Sequence, residues 1–469
     1  MKLSYGHVAL GFLGLHLAIA AAIPIFDDEA YYALWARYPS AGYYDHPPMI
    51  AYMIRSGVMV FGENGFGIRF FPILGMALAS VFVGDTARLM GLGRLHACLA
   101  VVLFNLGLLV MGVGSFATPD APSSFFWMAA LWSALRAVRS GTGGWWILAG
   151  LCLGLGGLSK FTNVFLAIGL FGWLVFDAKG RGYLRTWRPY AAAVFAALAL
   201  LPYLLWNIDN DWLGFERQGS RLAADGLTLE FVAEYFVILV LLPTPLVAWF
   251  ALRSTAFVRT KEVSLIWWSM APLLAYFLYH SSHAQVQANW LIPVQGSIVV
   301  MATLALVGRP KSAWATSVTA AVMSIGLLGA AFNPWQPLGT ANNPPNQTRG
   351  WVQTRIDMAD AMEASGAAWI ATTDYALTGM LSYHFPEIPV RGMAERQRYD
   401  FQGNFPAALC DQQGLLIEVE RSSLDVGAGL FETVGPDTFV TRSAAGVPLR
   451  RYRLRSVSGP TDAGLCPRG

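Results

Sequence analysis

Apolar runs long enough to cross a bilayer recur from residue 6 to residue 332, and no other feature constrains the fold so strongly. A membrane helix needs roughly 20 mostly apolar residues, and on that ruler about eleven crossings are expected. They fall at 6–26, 67–89, 95–115, 121–138, 145–158, 162–177, 190–206, 231–251, 263–280, 291–307 and 313–332. With 55% hydrophobic residues, 13% charged residues and a mean hydropathy of +0.46, the chain holds more apolar surface than one soluble core could hide. Lipid must therefore solvate most of it. A net charge of +3 without a basic run excludes a nucleic-acid partner.

Lysine and arginine set the orientation. The connections Arg88–Arg94, Arg136–Arg139, Lys179–Arg188, Arg253–Lys261 and Arg309–Lys311 are basic and are assigned to the cytoplasm, together with the N-terminus. Those around 27–65, 116–120, 207–230 and 280–290 are richer in acids, His and amides and are assigned outside. Both loops flanking 145–177 are basic, so the chain must cross an even number of times between them. The natural turn is Ser159-Lys160-Phe161, which holds Lys160 at the outer interface; the alternative is one tilted helix with a snorkelling lysine. Residues 1–26 also admit a signal-peptide reading, and either reading leaves Asp27 outside.

Three domains are expected: a transmembrane part over 1–332 with the outer loop 27–65, a Pro/Asn-rich linker over 333–350, and a small α/β domain over 351–469. In the last, helices are expected over 351–366 and 374–385, and strands over 368–371, 415–419 and 447–457. An odd number of crossings places this domain outside. Cys410 and Cys466 then meet an oxidising compartment, where a bridge and two free thiols are both open.

The first outer loop opens with Asp27-Asp28-Glu29-Ala30-Tyr31-Tyr32. Three carboxylates directly after a hydrophobic span are costly near lipid and point to a functional site, although acids also complement the dipole of a helix start. The loop continues through Tyr43-Tyr44-Asp45-His46-Pro47-Pro48. Thr118-Pro119-Asp120 begins another span and could simply cap it. Arg217 and Arg221, four apart, could clamp a phosphate or line a solvated helix. His280 and His283 have a spacing that metals use, but without further ligands the signal is weak. Carboxylates at 27–29 and 120 with cations at Lys160, Arg217 and Arg221, all on one side, suit group transfer from a lipid-linked phosphate.

These segments, in this order, resemble the GT-C membrane glycosyltransferases, in the bacterial branch related to protein O-mannosyltransferases and to the aminoarabinose transferase of lipid A. The likeness rests on Asp28-Glu29-Ala-Tyr-Tyr, Tyr44-Asp45-His46-Pro47-Pro48, Thr118-Pro119-Asp120, Leu158-Ser159-Lys160-Phe161-Thr162, Asn289-Trp290 and Gln397-Arg398-Tyr399-Asp400-Phe401. It implies a polytopic helical fold and an inverting transfer from a polyprenyl-phosphate sugar to a lipid or protein acceptor at the periplasmic face of a bacterial inner membrane. It also implies catalytic roles for Asp28, Glu29 and Asp120, and donor-phosphate contacts from Lys160, Arg217, Arg221 and His46. Asp27, Tyr31, Tyr44, Asn289 and Trp290 would line the substrate pocket. His46 stands where lipid A transferases carry Lys, so the donor contact there is weaker by expectation. No cofactor is required by the resemblance, and a divalent cation on the loop acids stays open. A transporter of lipid-linked sugars is the alternative; it would call for internal repeats, and none is found in the sequence.

Overall fold

The structure is a computed structural model that describes residues 4–220, 226–254, 260–331, 344–420, 429–461 and 466. Arg221 and most of the expected linker, 332–343, lie outside the described residues. Two compact units emerge: Met1–Ala21 with Ala41–Leu328, and Ala22–Ser40 with Gly329–Gly469. The start of the first outer loop, Ala22–Ser40, sorts with the tail in this division.

The first unit is helical, and helices occupy every expected crossing. Tyr5–Ala22, Gly65–Leu89, Arg188–Asp209, Ala288–Ala305 and Pro310–Ala331 are long and apolar enough to span a membrane. A sixth span results if Glu230–Leu241 and Pro245–Arg253 count as one. These two meet at 90°, so the apolar run over 231–251 forms two helices with a sharp break between them. Pro243 and Pro245 cause the break: neither offers an N–H to the helix, and Thr244 between them sits at φ 80°. The 145–177 run likewise divides, into Gly143–Gly157 and Val164–Phe176, with Lys160 in the connection.

Burial separates the helices into central and peripheral. Asp120–Ser140 is buried along most of its length, with Trp127 and Leu131 fully covered. Arg188–Asp209 and Pro310–Ala331 instead expose Leu198, Leu205, Val322 and Ile325, a surface that only lipid could cover. Gly150 lets Gly143–Gly157 approach Arg188–Asp209 closely, since a Cβ there would stand 2.0 Å from the Ala192 carbonyl oxygen. Small residues serve this purpose where no hydrophobic effect drives helices together.

The second unit has a six-stranded mixed sheet. Its strands are β1 (Trp369–Thr372), β2 (Val390–Gly392), β3 (Gly414–Val419), β4 (Phe431–Val434), β5 (Thr438–Ala444) and β6 (Val447–Pro460). β1 lies parallel to β2 and β3, while β6 runs antiparallel to β3, β4 and β5. Helix Trp351–Ser365 precedes β1, and helix Tyr375–His384 connects β1 to β2, capped by the Asp374 carboxylate on the Leu377 N–H at 3.0 Å. Trp369, Leu416, Phe405 and Phe431 form a core that includes Cys466, which is bonded to Cys410 and closes a loop of sequence separation 56. Cutting that loop in Cys410→Ser should cost about 2–4 kcal/mol. Melting curves with and without reductant check this: the wild type should become less stable when reduced, and the variant should not respond.

Candidate active site

In the first unit, three segments far apart in sequence meet at one carboxylate. Asp120 occupies the first turn of Asp120–Ser140, where the helix dipole favours a negative charge. Its Oδ1 accepts from Lys160 Nζ at 2.6 Å, and its Oδ2 accepts from Asn289 Nδ2 at 3.0 Å and Thr118 Oγ1 at 3.3 Å. Asp120 is 3% exposed and Lys160 6%, so each is the principal counter-charge of the other. The Lys160 connection is pinned from two sides. Ser123 Oγ donates to Asn163 Oδ1 at 2.5 Å, and Asn163 Nδ2 donates back to the Ser123 carbonyl at 3.1 Å. The Met49 N–H reaches the Leu158 carbonyl at 3.0 Å, which brings the Pro47-Pro48 end of the first outer loop to the same turn. Trp290 stacks on Phe277 at 5.5 Å, fixing the strand of chain that carries Asn289.

A second cluster of this unit joins Tyr44, Asp45 and the helix Leu213–Ser220. Arg217 Nε lies 3.7 Å from Asp45 Oδ1, its guanidinium covers the Tyr44 ring at 5.0 Å, and Gln218 Nε2 donates to the Asp45 carbonyl at 2.7 Å. His46 is half-buried beside it. The sequence reading overlooked Arg69, which is 1% exposed, donates to the Ala20 carbonyl at 2.6 Å and lies over Phe116, two residues before Thr118. An arginine inside an apolar helix was the signal that could have found it.

The loop acids Asp27, Asp28 and Glu29 belong to the second unit, in helix Asp27–Arg37. They occupy three different environments. Glu29 is fully buried, and its Oε2 accepts from the Phe26 N–H at 3.1 Å, a use that closes the helix start. Asp27 is also buried, and its Oδ1 has no donor among the described residues. Burial pushes its carboxyl up to about 6, against the opposing pull of Arg442 and Arg450. Asp28 alone is exposed, and its Oδ1 accepts from the Tyr375 hydroxyl at 3.2 Å. Tyr31, expected to line a pocket, is buried and packs edge-on against Trp35 and Tyr375. The same unit contains a mainly apolar cavity of about 690 Å³, lined among others by Ile23, Pro24, Trp351, Met380 and Tyr383. Among the described residues no group of three or more His, Cys, Asp or Glu is placed to hold a metal.

The raised Asp27 value makes a pH prediction. Between the ordinary aspartate value near 3.8 and about 6, the folded state holds a proton that the unfolded state releases. Stability should therefore fall as pH rises through that window, on the order of 2–3 kcal/mol, and level off above it. Melting curves from pH 4 to 7 check this by comparison with Asp27→Asn, which should lack that component.

Residues 45–206 match the family described as dolichyl-phosphate-mannose-protein mannosyltransferase. The fold is that of ArnT from Cupriavidus metallidurans, with a TM-score of 0.64 at 14% identity over 98% of this chain and 100% of that one. The GT-C likeness carried by the motifs is thus borne out. Among curated relatives, the lipid A galacturonosyltransferase RgtD of Rhizobium johnstonii is 27% identical over 292 residues, 60% of either chain. The undecaprenyl phosphate-alpha-4-amino-4-deoxy-L-arabinose arabinosyl transferase of an Enterobacter species is 31% identical over 172 residues, 34% of this chain and 30% of that protein. The chain thus spans less than two thirds of the length of either relative.

Proposed function

We propose that the protein is a glycosyltransferase that moves a sugar from a polyprenyl-phosphate donor to an envelope lipid, with inversion, at the periplasmic face of a bacterial inner membrane. The observation that carries it is the buried Lys160–Asp120 pair, gathered with Asn289 and Thr118 at the end of a central helix. An ammonium has three donors; one meets Asp120, and the others suit a phosphate oxygen. In the reaction an acceptor hydroxyl attacks the anomeric carbon, the bond from that carbon to the phosphate oxygen breaks, and polyprenyl phosphate leaves with the electron pair. Lys160 stabilises the charge growing on the phosphate, with Arg217 as a second cation. Asp28, the one exposed acid of its trio, takes the acceptor proton or orients the hydroxyl. Asp120 keeps Lys160 in place.

The relatives support the substrates. One is named a lipid A galacturonosyltransferase, another is named for an undecaprenyl-phosphate sugar, and a solved ArnT with a TM-score of 0.64 has undecaprenyl phosphate bound. Eleven crossings, a cytoplasmic N-terminus and a periplasmic tail complete the reading, and the Cys410–Cys466 bond fits an oxidising compartment. The test is purified protein with undecaprenyl-phosphate aminoarabinose or galacturonate and lipid A. Undecaprenyl phosphate should be released only when lipid A is present, and lipid A should gain the sugar mass. Donor that crosses the bilayer of a proteoliposome unchanged, with no sugar transferred, would instead make the protein a transporter.

A further inference from the structure

The tail has no chemistry of its own in the reading above, yet within the second unit its helix Tyr375–His384 lies directly on the helix of the loop acids. Contact is backbone to backbone: a Cβ on Gly379 would stand 2.5 Å from the Tyr31 nitrogen, so only glycine permits this approach. Tyr375, in the first turn of its helix, is thereby brought to Asp28, 347 residues away in sequence.

The Tyr375 ring is held on two sides. Tyr31 meets it edge-on at 5.4 Å, and the Arg398 guanidinium covers it at 5.0 Å. Arg398 is itself 4% exposed and locked, since its Nε and Nη2 both donate to Glu395 Oε2, at 3.0 and 2.6 Å. Glu395 adopts a left-handed φ of 48°, a conformation unusual for glutamate, which turns its carboxylate to that guanidinium. Tyr399, beside Arg398, fixes the other end by sharing a hydrogen bond with Thr378 at 3.1 Å. Against this support the ring is fixed while the residue stays 41% exposed, with its hydroxyl directed at Asp28. The 3.2 Å separation is longer than usual for two oxygens, as catalytic hydrogen bonds often are before substrate binds.

We propose that Tyr375 is a positioning residue for Asp28, held in place by the Arg398–Glu395 pair, and that orienting this acid is the contribution of the tail to transfer. The proposal rests on the reading of Asp28 as the carboxylate that handles the acceptor. The hydroxyl donates to one oxygen of the carboxylate and so restricts its rotation. Tyr375→Phe removes that donor and keeps the ring.

The experiment measures transfer by the full-length enzyme in four forms: wild type, Tyr375→Phe, Asp28→Asn and the double variant. Tyr375→Phe should lower kcat by about tenfold, the scale of one hydrogen bond to a charged group, with KM for the undecaprenyl-phosphate sugar unchanged. Its melting temperature should match the wild type, because the residue is 41% exposed and its ring is kept. On the Asp28→Asn background the same change should have no further effect, since the carboxylate it orients is gone. Arg398→Gln, which removes the support but not the hydroxyl, should also lower kcat more than it changes KM. Wild-type kcat in Tyr375→Phe beside an inactive Asp28→Asn would overturn this proposal alone. Full turnover in Asp28→Asn would overturn the reading beneath it.

Discussion

Replacing Lys160 with methionine should lower transfer by roughly a hundred- to a thousandfold and also destabilise the protein by about 3–5 kcal/mol. The two effects have separate causes. The catalytic loss follows from the proposed role of Lys160 as the positive charge set against the leaving phosphate. The stability loss follows from burial: Asp120 is 3% exposed and would keep only the neutral donors Asn289 and Thr118. Removing one member of a buried pair leaves the other charge uncompensated, whereas removing both can be nearly neutral. The double variant Lys160→Met with Asp120→Asn should therefore recover most of the lost stability and none of the activity. Melting temperature and undecaprenyl phosphate release, measured on the same preparations, separate the two. Recovery of both would reduce the pair to a structural element.

Asp28→Asn should lower turnover by roughly a thousandfold while leaving the melting temperature unchanged. The carboxylate is exposed, so the amide removes a base without creating a cavity or an unpaired buried group. Its neighbours should behave in the opposite way. Glu29→Ala strips the acceptor of the Phe26 N–H and should cost about 1 kcal/mol of stability, the scale of a lost helix cap. An Asp28→Asn enzyme with full turnover would remove this residue from the reaction.

How far the sequence reveals these features depends on the distance over which each is specified. The membrane helices are legible because a run of apolar residues is a local signal, and Lys160 breaks the 145–177 run where charge parity requires a turn. The bend at Thr244 was equally local, in Pro243 and Pro245, but the surrounding hydrophobicity concealed it. In the tail, β1, β3 and β6 follow buried or alternating residues and were expected. β4 and β5 were not, because both are largely exposed edges of the sheet with few apolar positions to mark them. The approach of Lys160 to Asp120 was suggested by charges assigned to one side, that of Asn289 only by the order of family motifs, and the tyrosine that reaches Asp28 had no such signal.

Because the helix Asp27–Arg37 shares a folding unit with residues made hundreds of positions later, it must wait for those residues before it can pack. While the ribosome is still delivering the later spans, Tyr31 and Trp35 lack the aromatic neighbours that cover them in the finished molecule. The protein so built has a timer in its connectivity, and no unfinished copy can hold Asp28 in its mature setting.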